Sequence, residues 1–372
     1  MRIAILANDK NSFVKPLAEG LERMAKSLGE RPKIFYDGLE MLSLPLEMSW
    51  ASPRAAAGQA LRMHGYRKTF HDFVARLRDV DLIVVVAHVP SSLTRGSLQN
   101  IEALRDLLPN CPIVNYDLVY LPTVAKWSGA MLRGESTGLS DAEVRTMQRG
   151  TFGMDRYDWY LVVSPLSEIP MPDAPQPCSV IGVNLDDGKL FPEQGGEFRV
   201  LVDFEQTRSD YLSYRKVQLE ALEESGVPYE ILNRPLTRDE IRAVYRRTGA
   251  FLMAHRESFG LPICELQACG SLIFTPRAEW AGAHWIKKDL RRAGPGQHSR
   301  NFVVYENTVS ALAEQLKRAR DNFDPEHVRK EFLSTQPQLY HGDSSVLQLF
   351  LSMVDDGHID SHAHQLHSEI GK

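Results

Sequence analysis

Two glutamates with seven residues between them, Glu257 and Glu265, set the first question. Between them Pro262 suits the first turn of a helix, where its missing N–H has no intrahelical acceptor anyway, and Gly270 suits the helix end. The spacing therefore predicts a helix from about Pro262 to Cys269, with Glu257 in the loop before it and Glu265 one turn inside. Gly260 is expected to supply backbone angles that other residues avoid. Such a helix start presents free N–H groups and a positive dipole end, a seat for a diphosphate. An ionised carboxylate only accepts hydrogen bonds and takes them strongly from hydroxyls, so Glu257 is placed to hold a sugar and Glu265 a ribose, with the diphosphate between. The plain alternative is a solvated loop residue and an exposed helix residue.

Those residues need a scaffold, and the hydrophobic pattern supplies one. Arg2–Ala7 reads as a strand, and Phe13, Leu17, Leu21, Met24 and Leu28 follow at helical spacing. Strands at Lys33–Tyr36, Asp81–Ala87, Pro112–Tyr116 and Trp159–Val163, with helical periodicity over Tyr66–Leu77, extend the rhythm. The run Asp81-Leu82-Ile83-Val84-Val85-Val86-Ala87 has the unbroken apolar character of a strand buried on both faces. Residues 165–177 carry five prolines and read as a crossover between domains. Beyond it strands at Phe198–Asp203, Tyr229–Leu232, Ala250–Ala254, Leu272–Thr275 and Phe302–Tyr305 alternate with helices at Leu212–Ser225, Thr237–Arg247, Val309–Ala319 and Pro325–Leu333. Thr237 and Glu240 form a capping box. A last helix spans Ser344–Val354, and the polar tail beyond has too few apolar residues to pack.

The expected fold class is α/β, two doubly wound Rossmann-like domains facing a central cleft. The expected boundaries are an N-terminal acceptor domain at 1–164, the crossover at 165–177, a C-terminal nucleotide-binding domain at 178–335, a helix at 336–355 packing back on the first domain, and a disordered tail at 356–372. A length of 372 residues suits two cores better than one.

Composition narrows the partners. With 43 Lys+Arg against 48 Asp+Glu, the net charge of -5 disfavours a general nucleic-acid binder, which depends on phosphate neutralisation. Cys111, Cys178, Cys264 and Cys269 have neither disulfide-framework nor zinc spacing and read as reduced thiols in a cytoplasmic protein. The N-terminus reads as a strand and not a signal peptide, and no run of about 18 apolar residues occurs, so a membrane span is not expected while peripheral membrane contact stays open. His358, His362, His364 and His367 have no spacing that fixes one helix face, so no metal site is expected there.

The segment ESFGLPICELQACGSLIF resembles the E-x7-E signature of retaining nucleotide-sugar glycosyltransferases with the glycosyltransferase B fold, departing at Leu266 and Ser271, both packing or turn positions. Leu236–Arg247 resembles the helix before that signature, and Val180–Asp186 with Leu190-Phe191-Pro192 resembles the family's inter-domain segment. The resemblance covers about residues 155–355, and the N-terminal half only in architecture. It implies a sugar transferred from a nucleotide-diphosphate-sugar to a hydroxyl acceptor, with no cofactor and no metal. Glu257 would contact the donor sugar, Glu265 the ribose hydroxyls, and the backbone of Phe259, Gly260 and Leu261 the sugar and phosphates. Of the family's basic pair, Arg208 matches by position. The Lys-Gly dipeptide is absent, leaving the second phosphate contact between Arg215 and Lys216, each of which also reads as a solvated helix face. His88, at the end of a buried strand, matches a family histidine; a satisfied structural histidine is the other reading. The family's glycine-rich turn after the first strand is replaced by Asn8, Asp9, Lys10 and Asn11. Trp280 and Trp285 near His284 suit either the cleft or ordinary packing. The alternatives carried are a same-fold epimerase or hydrolase, a non-catalytic nucleotide-sugar-binding partner in a polysaccharide assembly complex, and, more weakly, a DNA-glucosylating enzyme.

Overall fold

A computed structural model describes residues 1–10, 13–44, 53–87, 95–119, 157–164, 178–203, 209–257, 259–287 and 295–359. In chain order the elements are β1 (Arg2–Leu6), α1 (Val14–Ser27), β2 (Arg31–Phe35), α2 (Gly38–Leu42), α3 (Pro53–Ala75), β3 (Leu82–Val86), α4 (Arg95–Leu107), β4 (Ile113–Val119), β5 (Trp159–Ser164) and β6 (Cys178–Val180). There follow β7 (Val200–Val202), α5 (Ser209–Ser225), β8 (Tyr229–Ile231), α6 (Arg238–Arg246), β9 (Ala250–Leu252), α7 (Leu261–Ala268), β10 (Leu272–Thr275), β11 (Phe302–Val304), α8 (Val309–Asp321), α9 (Pro325–Thr335) and α10 (Ser344–Asp355). No helix among the described residues is long and apolar enough to cross a membrane.

The first compact unit holds β1 to β6 in one parallel sheet of order β2-β1-β3-β4-β5-β6. Every residue of β3 is buried, as its continuous apolar run requires. Helix α10 belongs to this unit, although it closes the described chain. The Asp343 amide donates to the Ile181 carbonyl at 2.7 Å. Phe350 on α10 packs its ring 6.1 Å from that of Trp159. The sequence reading began a new domain at residue 178, but Cys178, Ser179 and Val180 pair with Tyr160, Leu161 and Val162 in the first sheet. The open edge of β5 takes up a three-residue strand too short to show in a hydrophobic pattern, and the second unit begins at Leu185.

The second unit carries β7 to β11 in a parallel sheet of order β11-β10-β9-β7-β8. Its core joins Val200, Val202, Leu252 and Phe274 of the strands to Leu222 of α5 and Leu312 and Leu316 of α8. The Thr237–Glu240 capping box is present at the start of α6, and Gly270 follows α7 with φ 86°, in the left-handed region that glycine enters without penalty. The chain runs from β7 outward to β8 and then crosses to β9 on the other side of β7. The carboxyl ends of β7 and β9 therefore flank a topological switch point, where open α/β sheets bind ligands.

Candidate functional site

The loop leaving β9 carries the chemistry. Met253 and Ala254 are buried; His255 and Glu257 then emerge half-buried, with His255 Nε2 3.3 Å from Glu257 Oε1. The Glu257 carbonyl accepts from the Ala281 amide at 2.7 Å, and Ala281 itself sits at φ 54°, a left-handed conformation that a non-glycine residue adopts only when its surroundings enforce it. The other carboxylate oxygen, Oε2, lies over Gly260, where an added Cβ would collide with it and with Ile263. Gly260 has φ -115°, ordinary for any residue. This corrects the sequence reading: Gly260 adopts no unusual backbone angles, and a side chain there would displace the ends of Glu257 and Ile263 from where they rest.

The Gly260 amide is also committed. It donates to Nε2 of His284 at 3.3 Å, and the His284 ring stacks on Phe259 with centroids 5.0 Å apart. Of the expected backbone donors at Phe259, Gly260 and Leu261, the Gly260 amide is thus occupied, whereas that of Leu261 makes no hydrogen bond among the described residues, and neither does that of Ile263 in the first turn of α7. His284 is fully buried, and that burial pushes its ring down to about 3. The folded ring stays neutral while the unfolded ring gains a proton below about pH 6.5, so this group withdraws stability as the pH falls. We expect it alone to cost about 2 kcal/mol between pH 7 and pH 5. His284→Gln, which keeps an acceptor for Gly260 but cannot titrate, should flatten that part of the slope in urea melts at the two pH values.

Arg215, on α5, is 5% exposed. Its Nη1 donates to Gln218 at 2.9 Å, and Gln218 in turn donates to the Met253 carbonyl at 2.7 Å and to Tyr305 at 2.8 Å. This chain of contacts ties the guanidinium to the end of β9. Its Nε and Nη2 have no hydrogen-bond partner among the described residues. Burial pulls the Arg215 charge below its ordinary strength, while Asp203 at the end of β7 supports it. A buried guanidinium with open donors beside a switch point is equipped for an anion. Lys216 next to it is solvated: its side chain is 76% exposed, with Nζ 3.9 Å from Glu220.

Glu265 faces inward from α7 and is 8% exposed, so it is not the solvated helix residue of the plain alternative. Its Oε1 accepts from Nε of Arg242 at 3.2 Å and from Nη2 at 2.9 Å, and Nη1 of Arg242 bonds Asp187. Burial raises the Glu265 carboxyl despite Arg242, and it also opposes the Arg242 charge, which its two carboxylate partners more than restore. Glu265 Oε2 makes no hydrogen bond among the described residues.

Trp280 is buried, edge-on to Tyr214 and Tyr211 with ring centroids 5.2 and 5.9 Å away. The indole N–H of Trp285 donates to the Ala278 carbonyl at 3.1 Å. Both are packing residues of the loop after β10. In the first unit Lys10 pairs with Glu40, and Ala87 at the end of β3 turns at φ 51°. Arg208, His88, Asn11, Ser258, the crossover at 165–177 and the histidines at 362, 364 and 367 lie outside the described residues. Among the described residues no cluster of three or more His, Cys, Asp or Glu side chains could hold a metal.

Sequence reasoning missed His255 and Arg242 as parts of the site and named His284 only as a neighbour of Trp280 and Trp285. Of the two it missed, His255 left a signal, two residues before Glu257 in the loop at a strand's carboxyl end.

No protein-family model matches the sequence, and no curated protein matches it either. Solved structures do. The apo structure of OtsA is 12% identical, with 95% of this chain and 98% of that one aligned at a TM-score of 0.50. A Listeria monocytogenes protein assigned as a UDP-N-acetylglucosamine 2-epimerase is 9% identical, with 96% of each chain aligned at a TM-score of 0.50. Identities this low show the fold alone. The chain has the glycosyltransferase B fold, built from two Rossmann-like domains.

Proposed function

We propose that this protein is a retaining, metal-independent glycosyltransferase that moves a sugar from a nucleotide-diphosphate-sugar to a hydroxyl acceptor. The observation that carries the reading is Arg215, a buried guanidinium with Nε and Nη2 unpartnered among the described residues, beside the loop that holds Glu257. A diphosphate satisfies both donors, and the amides of Leu261 and Ile263 add to its seat. As the glycosidic bond breaks, negative charge grows on the leaving diphosphate, so these fixed donors, together with Arg208, stabilise the transition state more than the ground state. Glu257 orients the sugar through its carboxylate and is not a covalent nucleophile. Glu265 Oε2 accepts from the ribose, while Arg242 holds Oε1. The resemblance of the segment from Glu257 to Glu265 to the retaining family supports the stereochemistry.

The Listeria neighbour favours a second reading, epimerisation of a nucleotide-sugar on the same fold. One experiment separates the two. Thermal melts against UDP-, GDP-, ADP- and CMP-sugars should show one donor raising the melting temperature by roughly 5–10 °C at a hundredfold excess over its Kd. Incubating that donor with hydroxyl acceptors should then yield a glycoside and no epimer. Glu257→Ala should abolish transfer in a variant that melts like the parent. Unchanged turnover in that variant removes the site assignment, and an epimer as sole product moves the reading to the second.

A further inference from the structure

The pair formed by His255 and Glu257 has no counterpart in the proposed handling of the donor, yet it decides where the carboxylate points. Glu257 Oε1 meets Nε2 of His255 at 3.3 Å, and Oε2 is pressed over Gly260. The loop's backbone is pinned separately, by Ala281 on the Glu257 carbonyl and by His284 on the Gly260 amide. Among the described residues the imidazole is therefore the side chain that holds the carboxylate's rotation. Among the described residues four groups face its ring: Glu257 in the same loop, Asp203 at the end of β7, and Arg215 and Tyr211 from α5, Tyr211 with its ring edge-on at 6.5 Å between centroids. Glu257 and Asp203 favour the protonated ring, whereas burial and Arg215 oppose it.

We propose that His255 is a proton-linked positioning residue, whose charged ring locks Glu257 over Gly260 and couples donor binding to proton uptake; this rests on the reading of the site as a nucleotide-sugar site. The hydrogen bond to Glu257 raises the ring above the ordinary histidine value of 6.5, burial working against it. A diphosphate seated on Arg215 offsets the cation that, among the described residues, opposes the ring, so binding favours its proton further. Reciprocity then requires tighter donor binding at lower pH. The pair's own contribution to stability is full below about pH 6.5 and is lost as the pH rises through the folded ring's titration.

Imidazole NMR titrations on the full-length protein test this without a substrate. Glu257→Gln should lower the His255 titration midpoint and Arg215→Met should raise it, two opposite displacements that simple burial does not produce. A midpoint unmoved by both substitutions overturns the proposal. UDP-glucose, a diphosphate diester whose own charge is constant over this range, should bind about 3- to 10-fold more tightly at pH 6 than at pH 8.5. His255→Gln, which keeps a donor near the Nε2 position, should keep part of the turnover of this donor but lose its pH dependence, whereas His255→Leu should lose kcat and bind UDP-glucose no more tightly at pH 6 than at pH 8.5. A His255→Gln variant with the parental pH profile counts against the proposal. If UDP-glucose and the other donors fail to bind at all, the nucleotide-sugar reading falls, while the His255–Glu257 coupling is still decided by the titrations.

Discussion

Arg215→Met should melt at a higher temperature than the parent and bind its nucleotide-sugar donor about 100- to 1000-fold more weakly. The two halves have one cause. In the free protein the guanidinium is 5% exposed, and two of its nitrogens find no partner among the described residues, a desolvation cost of about 1–3 kcal/mol that a methionine of similar reach does not carry. Loss of the Nη1 bond to Gln218 offsets part of the gain. With the diphosphate present the same two nitrogens make charge-assisted bonds, so the variant loses them only in the complex. Arg215→Lys should recover part of the affinity at best, because an ammonium keeps the charge without the planar fork. Calorimetric binding and melting curves on the same preparations check both signs. A lower melting temperature in Arg215→Met would make Arg215 a structural strut and leave the diphosphate without its main counter-charge.

The second large effect is on folding. Arg242→Leu should destabilise the second unit by about 3–5 kcal/mol, since it leaves Glu265 buried without its hydrogen-bonded ion-pair partner. Asp187, whose side chain is 21% exposed, suffers less because water still reaches it. The double variant Arg242→Leu/Glu265→Leu should regain most of the loss, because an apolar pair of similar volume replaces an ion pair at little net cost. Urea melts of the two single variants and the double give the coupling directly. If Glu265 also holds the ribose, the double variant folds yet binds donor weakly, which separates the residue's two duties.

Much of the scaffold was legible because its signals are local. The apolar run of β3, the capping box of α6 and Gly270 after α7 each follow from a few neighbouring residues, and each is present. The edge strand β6 was not, because three residues after a proline-rich stretch carry no periodicity and only the free edge of β5 defines them. Arg242 was hidden for a different reason. An arginine on a strongly amphipathic helix is by default solvated, and only the fold places it between Asp187 and Glu265. The candidate site was legible at Glu257 and Glu265 as a spacing, but the surroundings of Gly260 were not: its φ is ordinary, and the atom resting where a Cβ would stand is a carboxylate oxygen three residues back in the chain.

The two histidines on either side of that glycine differ in kind. His284 grips the main chain at Gly260 and, with burial pushing its ring down to about 3, stays uncharged near neutral pH; His255 grips the side chain of Glu257 and holds its proton more readily than a free histidine. The loop is thereby split into an insulated frame and a responsive contact. Acidity can retune how firmly the carboxylate is aimed while the path of the backbone through the site stays constant, so occupancy is adjusted without remodelling the binding surface.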